Sequence, residues 1–217
     1  MKYVLFDMDG VLLDSEAGAF EMYQKSLRKI GVEISLEELL EQYVGKTSLQ
    51  ISTEILEKYS IQMTPEEFLK LHRSGGSFYA VSDKVVPMEG VVDFLEFLWG
   101  NGVRMAAVSS TTSVNVLTAL NRMGLLKYFD AVICSDMLEQ GKPSPEGYLK
   151  ALGLLKGIPE ECIIIEDSAI GVQAGKNAKI TVCAYKGASY QQDTLAADME
   201  VYTYQELKEE LIKKYHL

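Results

Sequence analysis

Tyr3-Val4-Leu5-Phe6-Asp7-Met8-Asp9-Gly10 is a short apolar run that stops abruptly at two acids and a glycine. Four apolar residues in a row suit a strand buried on both faces. The glycine permits a turn immediately after it. Runs of the same kind recur far downstream, over residues 103–108, 131–134, 162–165 and 180–184. Helical patterns lie between them, over 112–123, 145–155 and 169–178. Strands alternating with helices, and apolar throughout, predict an α/β fold: a Rossmann-like parallel sheet covered on both faces.

Residues 15–83 break that alternation. Helical patterns cover 15–30, 35–43, 48–59 and 64–72, with Ser or Thr at several starts and Gly31 after the first. Thr64-Pro65-Glu66-Glu67 is an N-terminal signature, with proline at the first helical position and acids in the first turn. No strand pattern interrupts these helices. The expected organisation is a core of residues 1–14 and 84–217, with an all-helical cap, residues 15–83, inserted after the first strand.

Composition narrows the function. Of 217 residues, 47% are hydrophobic and 24% charged, as in an ordinary globular protein, so a disordered or collagen-like chain is excluded. A net charge of −10 repels phosphate backbones, so nucleic acid is not an expected partner. No run approaches the roughly 18 apolar residues of a membrane span. The first residues do not read as a signal peptide, so no membrane partner and a cytoplasmic location are expected. A monomer is the expected state. Cys134, Cys162 and Cys183 are widely spaced in apolar surroundings and read as buried free thiols. With only His72 and His216, the chain offers little for a zinc site or a Ser-His-Asp triad. His72 reads as surface, Trp99 and the aromatics of 94–97 as core, and the acid-rich helix 205–214 as presenting a solvated face.

In open parallel sheets, ligands bind at the carboxyl ends of the strands. The residues found there are uniform in type. Asp7 and Asp9 follow the first strand, and Ser109, Ser110, Thr111 and Thr112 follow the run 103–108. Ser135-Asp136 and then Gly141-Lys142-Pro143 follow 131–134, and Glu166-Asp167-Ser168 follow 162–165. Several carboxylates on one rim require a cation, and an all-oxygen donor set suits Mg²⁺. Ser109 and Lys142 can hold phosphate oxygens, the lysine as a point charge. A carboxylate can itself attack phosphorus. One of Asp7 and Asp9 would attack while the other moves protons.

Asp7-Met8-Asp9-Gly10-Val11, Ser109, Gly141-Lys142-Pro143 and Glu166-Asp167-Ser168 together resemble the motif set of the haloacid dehalogenase-like hydrolase superfamily. The likeness spans the whole chain and is greatest to the branch of phosphatases and β-phosphoglucomutases. It implies Asp7 as nucleophile, Asp9 as general acid/base, and Ser109 and Lys142 on the phosphoryl group. It also implies a Mg²⁺ site formed by Asp7, Asp9 (through its carbonyl), Glu166 and Asp167. Ser110 is a further expected substrate contact, and Lys46 is the expected contact from the cap loop Val44–Ser48. Either Ser109 or Ser110 could instead cap the helix that follows.

The family's dehalogenases lack the second acid of the first motif, whereas Asp9 is present. That favours phosphate-ester chemistry on a small phosphorylated metabolite. β-Phosphoglucomutases carry a histidine in the first cap helix, where this chain has Ala17-Gly18-Ala19-Phe20. Their cap-loop lysine and arginine correspond to Val44 and Ser48 here. Hydrolysis is therefore expected over a phosphosugar mutase, with a non-catalytic binding module as the remaining alternative. The two crossings between cap and core, near 11–15 and 82–88, are expected to act as a hinge.

Overall fold

The computed structural model describes residues 1–43, 46, 48–188 and 192–215. The chain divides into two compact units, Met1–Asp14 with Val86–Leu217, and Ser15–Val85. Strands β1 (Tyr3–Phe6) and β2 (Leu13–Asp14) open the first unit. The second unit holds α1 (Glu16–Arg28), α2 (Leu36–Tyr43), α3 (Ser48–Lys58), α4 (Pro65–Arg73) and α5 (Phe78–Val81). The first unit resumes with β3 (Val86–Pro87), α6 (Val91–Gly100), β4 (Arg104–Val108), α7 (Ser113–Arg122) and β5 (Ala131–Ile133). It ends with α8 (Glu146–Leu154), β6 (Cys162–Glu166), α9 (Ala169–Asn177), β7 (Thr181–Tyr185), β8 (Met199–Val201) and α10 (Tyr204–Tyr215).

Six strands form a parallel sheet in the order β5-β4-β1-β6-β7-β8. β1 sits inside it because Val4, Leu5 and Phe6 are fully buried and need cover on both faces. Side chains alternate along each strand, so the two faces carry different sets. Leu5, Ala106, Val108 and Ile164 pack with Tyr148, Ala151, Leu152, Val172 and Ala174 from α8 and α9. Phe6 points the other way, edge-on to Phe94 of α6 and to Phe129, while Phe94 also meets Tyr204 of α10. Each buried Leu, Ile or Phe contributes about 1.5–3 kcal/mol, so the two faces together hold the sheet. β8 extends it beyond β7. Its sequence, Met199-Glu200-Val201, is too short and too polar to register as an apolar run. β2 and β3 pair antiparallel, Leu13 opposite Pro87, where the chain leaves this unit and returns to it.

The helical unit has its own core, built from Phe20, Tyr23, Leu27, Leu39, Ile51, Ile55 and Phe68. Thr64 and Glu67 close a capping box at α4: the Thr64 hydroxyl accepts from Glu67 N at 3.3 Å, and Glu67 accepts from Thr64 N at 2.8 Å. Two bland expectations are corrected. His72 is half-buried rather than solvated: its ring lies 4.5 Å from that of Tyr23 and its Nδ1 is 3.1 Å from Ser26 Oγ. Trp99 is not core: it is 63% exposed, its ring edge-on to Tyr128. No described helix is long and apolar enough to cross a membrane.

Candidate active site

Period-two alternation places the first two carboxylates. Tyr3 and Leu5 of β1, and Cys162 and Ile164 of β6, face the core under α8 and α9. The next positions on that face are Asp7 and Glu166. β1 and β6 are in register with Phe6 opposite Ile165, and Asp7 N donates to Ile165 O at 3.0 Å. The two acids therefore arrive side by side at the carboxyl edge, and both are buried.

Lys142 answers them from the loop before α8. Its ammonium donates to Asp7 Oδ1 and, at 2.5 Å, to Glu166 Oε1, and its side chain is only 8% exposed. The loop is held at both ends of its path. Glu146 accepts from the backbone N–H groups of Glu139 and Gln140 at 3.0 and 2.8 Å, and Asn177 donates to Pro143 O at 2.9 Å.

Glu166 is saturated with donors. Oε1 accepts from Lys142 and from the Tyr148 hydroxyl at 2.7 Å. Oε2 accepts from Asp167 N, Ser168 N and Ser168 Oγ at 3.0, 3.1 and 2.9 Å. Ser168 also caps α9, accepting from Gly171 N at 3.1 Å. Gly171 has to lack a side chain, because a Cβ there would occupy the space of the Glu166 carboxylate.

Asp167 lies on the rim beside Asp7. It packs on Gly10, whose positive φ of 79° forms the turn after β1 and where a Cβ would overlap the Asp167 carboxylate. Oxygens of Asp7, Glu166 and Asp167 come within 4.8 Å of one another. Asp9 follows in the same turn, partly exposed.

The electrostatics separate these acids. Burial, then the charges of Glu166 and Asp9, push Asp7 up to about 7 despite Lys142. Burial, then Asp7 and Glu166, push Asp167 up to about 9. Burial opposes charge on Glu166 too, but Lys142, Tyr148 and Ser168 outweigh it and hold that carboxyl below its usual range. Burial likewise opposes charge on Lys142, yet Asp7 and Glu166 keep it firmly protonated. Three clustered carboxyls against one ammonium, with oxygen donors only, fit a hard divalent cation. The acidic cluster can bind such a metal.

Ser109 is buried at the end of β4, where its hydroxyl accepts from Thr111 N at 3.0 Å. Ser109, Ser110, Lys142 and Tyr148 line one cavity of about 280 Å³. Asp136 does not join the rim chemistry. It accepts from Ser113 N and Oγ at 2.8 and 2.6 Å and so caps α7. Lys46 lies in the helical unit, paired with Glu54 at 2.6 Å and 5.1 Å above the Tyr43 ring. Its neighbours Val44, Gly45 and Thr47 lie outside the described residues.

Three residues at the site escaped the sequence reading: Tyr148, Gly171 and Glu146. All three lie in segments that read there only as helical, 145–155 and 169–178. The phenol at a buried helical position was the one usable signal, because a buried hydroxyl needs a partner.

A family model for haloacid dehalogenase-like hydrolases matches residues 4–185. A phosphorylated carbohydrates phosphatase from Thermotoga maritima is 35% identical over 181 residues, covering 83% of this chain and 82% of that protein. A crystal structure from Thermotoga maritima, provisionally described as a β-phosphoglucomutase, matches with a TM-score of 0.82 and 30% identity, over 99% of this chain and 100% of that one. A HAD family hydrolase from Deinococcus radiodurans, solved with bound phosphate and sodium, matches with a TM-score of 0.80 and 26% identity, over 98% of this chain and 96% of that one. The chain belongs to the haloacid dehalogenase-like hydrolase family. Within it, this enzyme is a phosphoric monoester hydrolase.

Proposed function

We propose that the enzyme is a Mg²⁺-dependent phosphatase that hydrolyses a small phosphate monoester, a sugar phosphate or similar, through an aspartyl-phosphate. The observation that carries this reading is the meeting of Asp7, Asp167 and Lys142 at one strand edge: two acids that need a cation, beside a fixed ammonium. Asp7 attacks phosphorus, an Asp7 oxygen–phosphorus bond forming as the phosphorus–oxygen bond to the leaving group breaks. Asp9 gives a proton to the departing alkoxide and then takes one from the water that attacks the acyl phosphate. That second step releases inorganic phosphate and restores the Asp7 carboxylate. Lys142 and Ser109 hold the phosphoryl oxygens, with Ser110 beside them.

Asp7, Asp167 and the Asp9 carbonyl are the assigned metal ligands. The carboxylate oxygens of Glu166 already accept five hydrogen bonds, so Glu166 supports the metal by holding Lys142 and the turn at Asp167. When bound, Mg²⁺ neutralises the carboxylates and the phosphoryl oxygens that face them.

Substrate choice is assigned to the helical unit as a cap, with Lys46 as its contact. The phosphatase name of the 35%-identical relative supports hydrolysis of phosphorylated carbohydrates. The mutase description of the 30%-identical structure supports a phosphosugar mutase as the second reading. Ala17-Gly18-Ala19-Phe20 and Ser48, which lack the mutases' histidine and arginine, favour hydrolysis.

The test is p-nitrophenyl phosphate with Mg²⁺ and after exhaustive chelation, followed by a panel of phosphate esters with native enzyme and Lys46→Ala. Release of inorganic phosphate that stops on chelation supports the reading, and activity indifferent to chelation overturns it. An unchanged ranking of esters in Lys46→Ala removes the assigned role of that lysine.

A further inference from the structure

Tyr148 is a buried residue with a polar tip where packing alone asks for a phenylalanine. It is 1% exposed, and its ring belongs to the core under the sheet. Leaving a hydroxyl there without a partner would cost about 1–3 kcal/mol. The partner it has is Glu166 Oε1 at 2.7 Å, the oxygen that also accepts from Lys142 at 2.5 Å. The Lys142 ammonium in turn lies 5.3 Å from the Tyr148 ring centroid, within cation–π range.

We propose that Tyr148 is a positioning residue for phosphoryl binding: its hydroxyl on Glu166 and its ring beside Lys142 aim the ammonium at the substrate's phosphoryl oxygens. This rests on the reading of Lys142 as the phosphoryl-binding lysine. An ammonium has three protons. Asp7 and Glu166 take two of them, which leaves one for an incoming oxygen. The direction of that proton is defined only while both carboxylates stay put. Oε2 of Glu166 is pinned by three donors from Asp167 and Ser168, and Oε1 is pinned by the phenol. Without the phenol, Oε1 has Lys142 as its one donor among these contacts. The ammonium is then drawn onto Glu166 and away from the phosphoryl group.

The test is Tyr148→Phe, which keeps the ring and the packing. The readings are melting temperature, KM and kcat for p-nitrophenyl phosphate, and the inhibition constant of inorganic phosphate. We expect an unchanged fold and a rise in KM and in the phosphate inhibition constant of roughly tenfold, the scale of lost supporting contacts around a site. The change in kcat should be smaller, because binding is lost in ground state and transition state alike. In a Lys142→Met background, Tyr148→Phe should add no further loss of phosphate binding by calorimetry. Unaltered phosphate inhibition in Tyr148→Phe overturns the inference. So does an equal loss with Lys142 already removed, because Tyr148 would then act by another route. Normal phosphate binding by Lys142→Met alone overturns the assignment of the lysine, which separates the two failures.

Discussion

Lys142 and Glu166 form a buried ion pair at 2.5 Å, the carboxylate fully inaccessible and the lysine side chain nearly so. Burying such a pair is costly, and a good geometry with further hydrogen bonds is what offsets the cost. Glu166 meets that condition with donors on both oxygens. The pair therefore ties the site to the stability of the fold.

Glu166→Gln should be destabilising, since it leaves the lysine with one carboxylate and turns an amide toward donors. Breaking a buried pair costs roughly 3–5 kcal/mol, so Tm should fall by roughly 6–20 °C for a chain of this size. Thermal unfolding followed by circular dichroism measures it. A Tm within a degree or two of native would mean that the pair contributes nothing.

Gly171→Ala sets two effects against each other. In a helix interior the change ordinarily stabilises by about 1 kcal/mol. At this position the new Cβ would occupy the Glu166 carboxylate's space, and that carboxylate is pinned by five donors. Overpacking costs about 1–3 kcal/mol, so we expect a net loss of stability together with a loss of phosphatase activity. A more stable and fully active variant would contradict the packing described.

The raised acids give the metal-stripped protein a pH-dependent stability. Asp7 and Asp167 rise from 3.8 to about 7 and about 9 on folding. The folded chain therefore holds protons that the unfolded chain has released, and this stability is lost as pH rises through those values. Tm in chelator should fall from about pH 5 to about pH 9, and Mg²⁺ should restore it most at the alkaline end, where it replaces the protons. A flat profile in chelator, or no effect of Mg²⁺ at the alkaline end, would count against the acid cluster as the metal site.

Asp9→Asn should slow turnover by on the order of 10²–10⁴, the usual share of general acid–base catalysis. Alkoxide leaving groups need the proton more than p-nitrophenolate does. Steady-state rates on a sugar phosphate and on p-nitrophenyl phosphate compare the two. Equal losses on both would remove the acid role from Asp9.

The sheet was legible because its strands are buried on both faces, and continuous apolar runs mark such strands. β8 was not, because an edge strand of three residues containing Glu200 leaves no run. Asp7, Ser109, Lys142 and Glu166 were legible as strand-end residues, since the carboxyl ends of a parallel sheet share one edge. The saturation of Glu166 with donors was hidden. It depends on Tyr148, Ser168 and the backbone amides after β6, which reach Glu166 only once α8 and α9 are folded against the sheet. Asp136 misled in the opposite direction: it has the right type at a strand end but serves as a cap for Ser113.

Covalent participation of Asp7 is the central claim, and acid quenching during steady turnover tests it most directly. Borohydride reduces an acyl phosphate, and only an aspartate carrying one, to homoserine. Peptide mass spectrometry of the quenched and reduced enzyme should find homoserine at position 7 with a phosphate ester and Mg²⁺ present, and aspartate there without substrate. Homoserine at another acid, or intact Asp7 in enzyme shown to be turning over, would contradict the account.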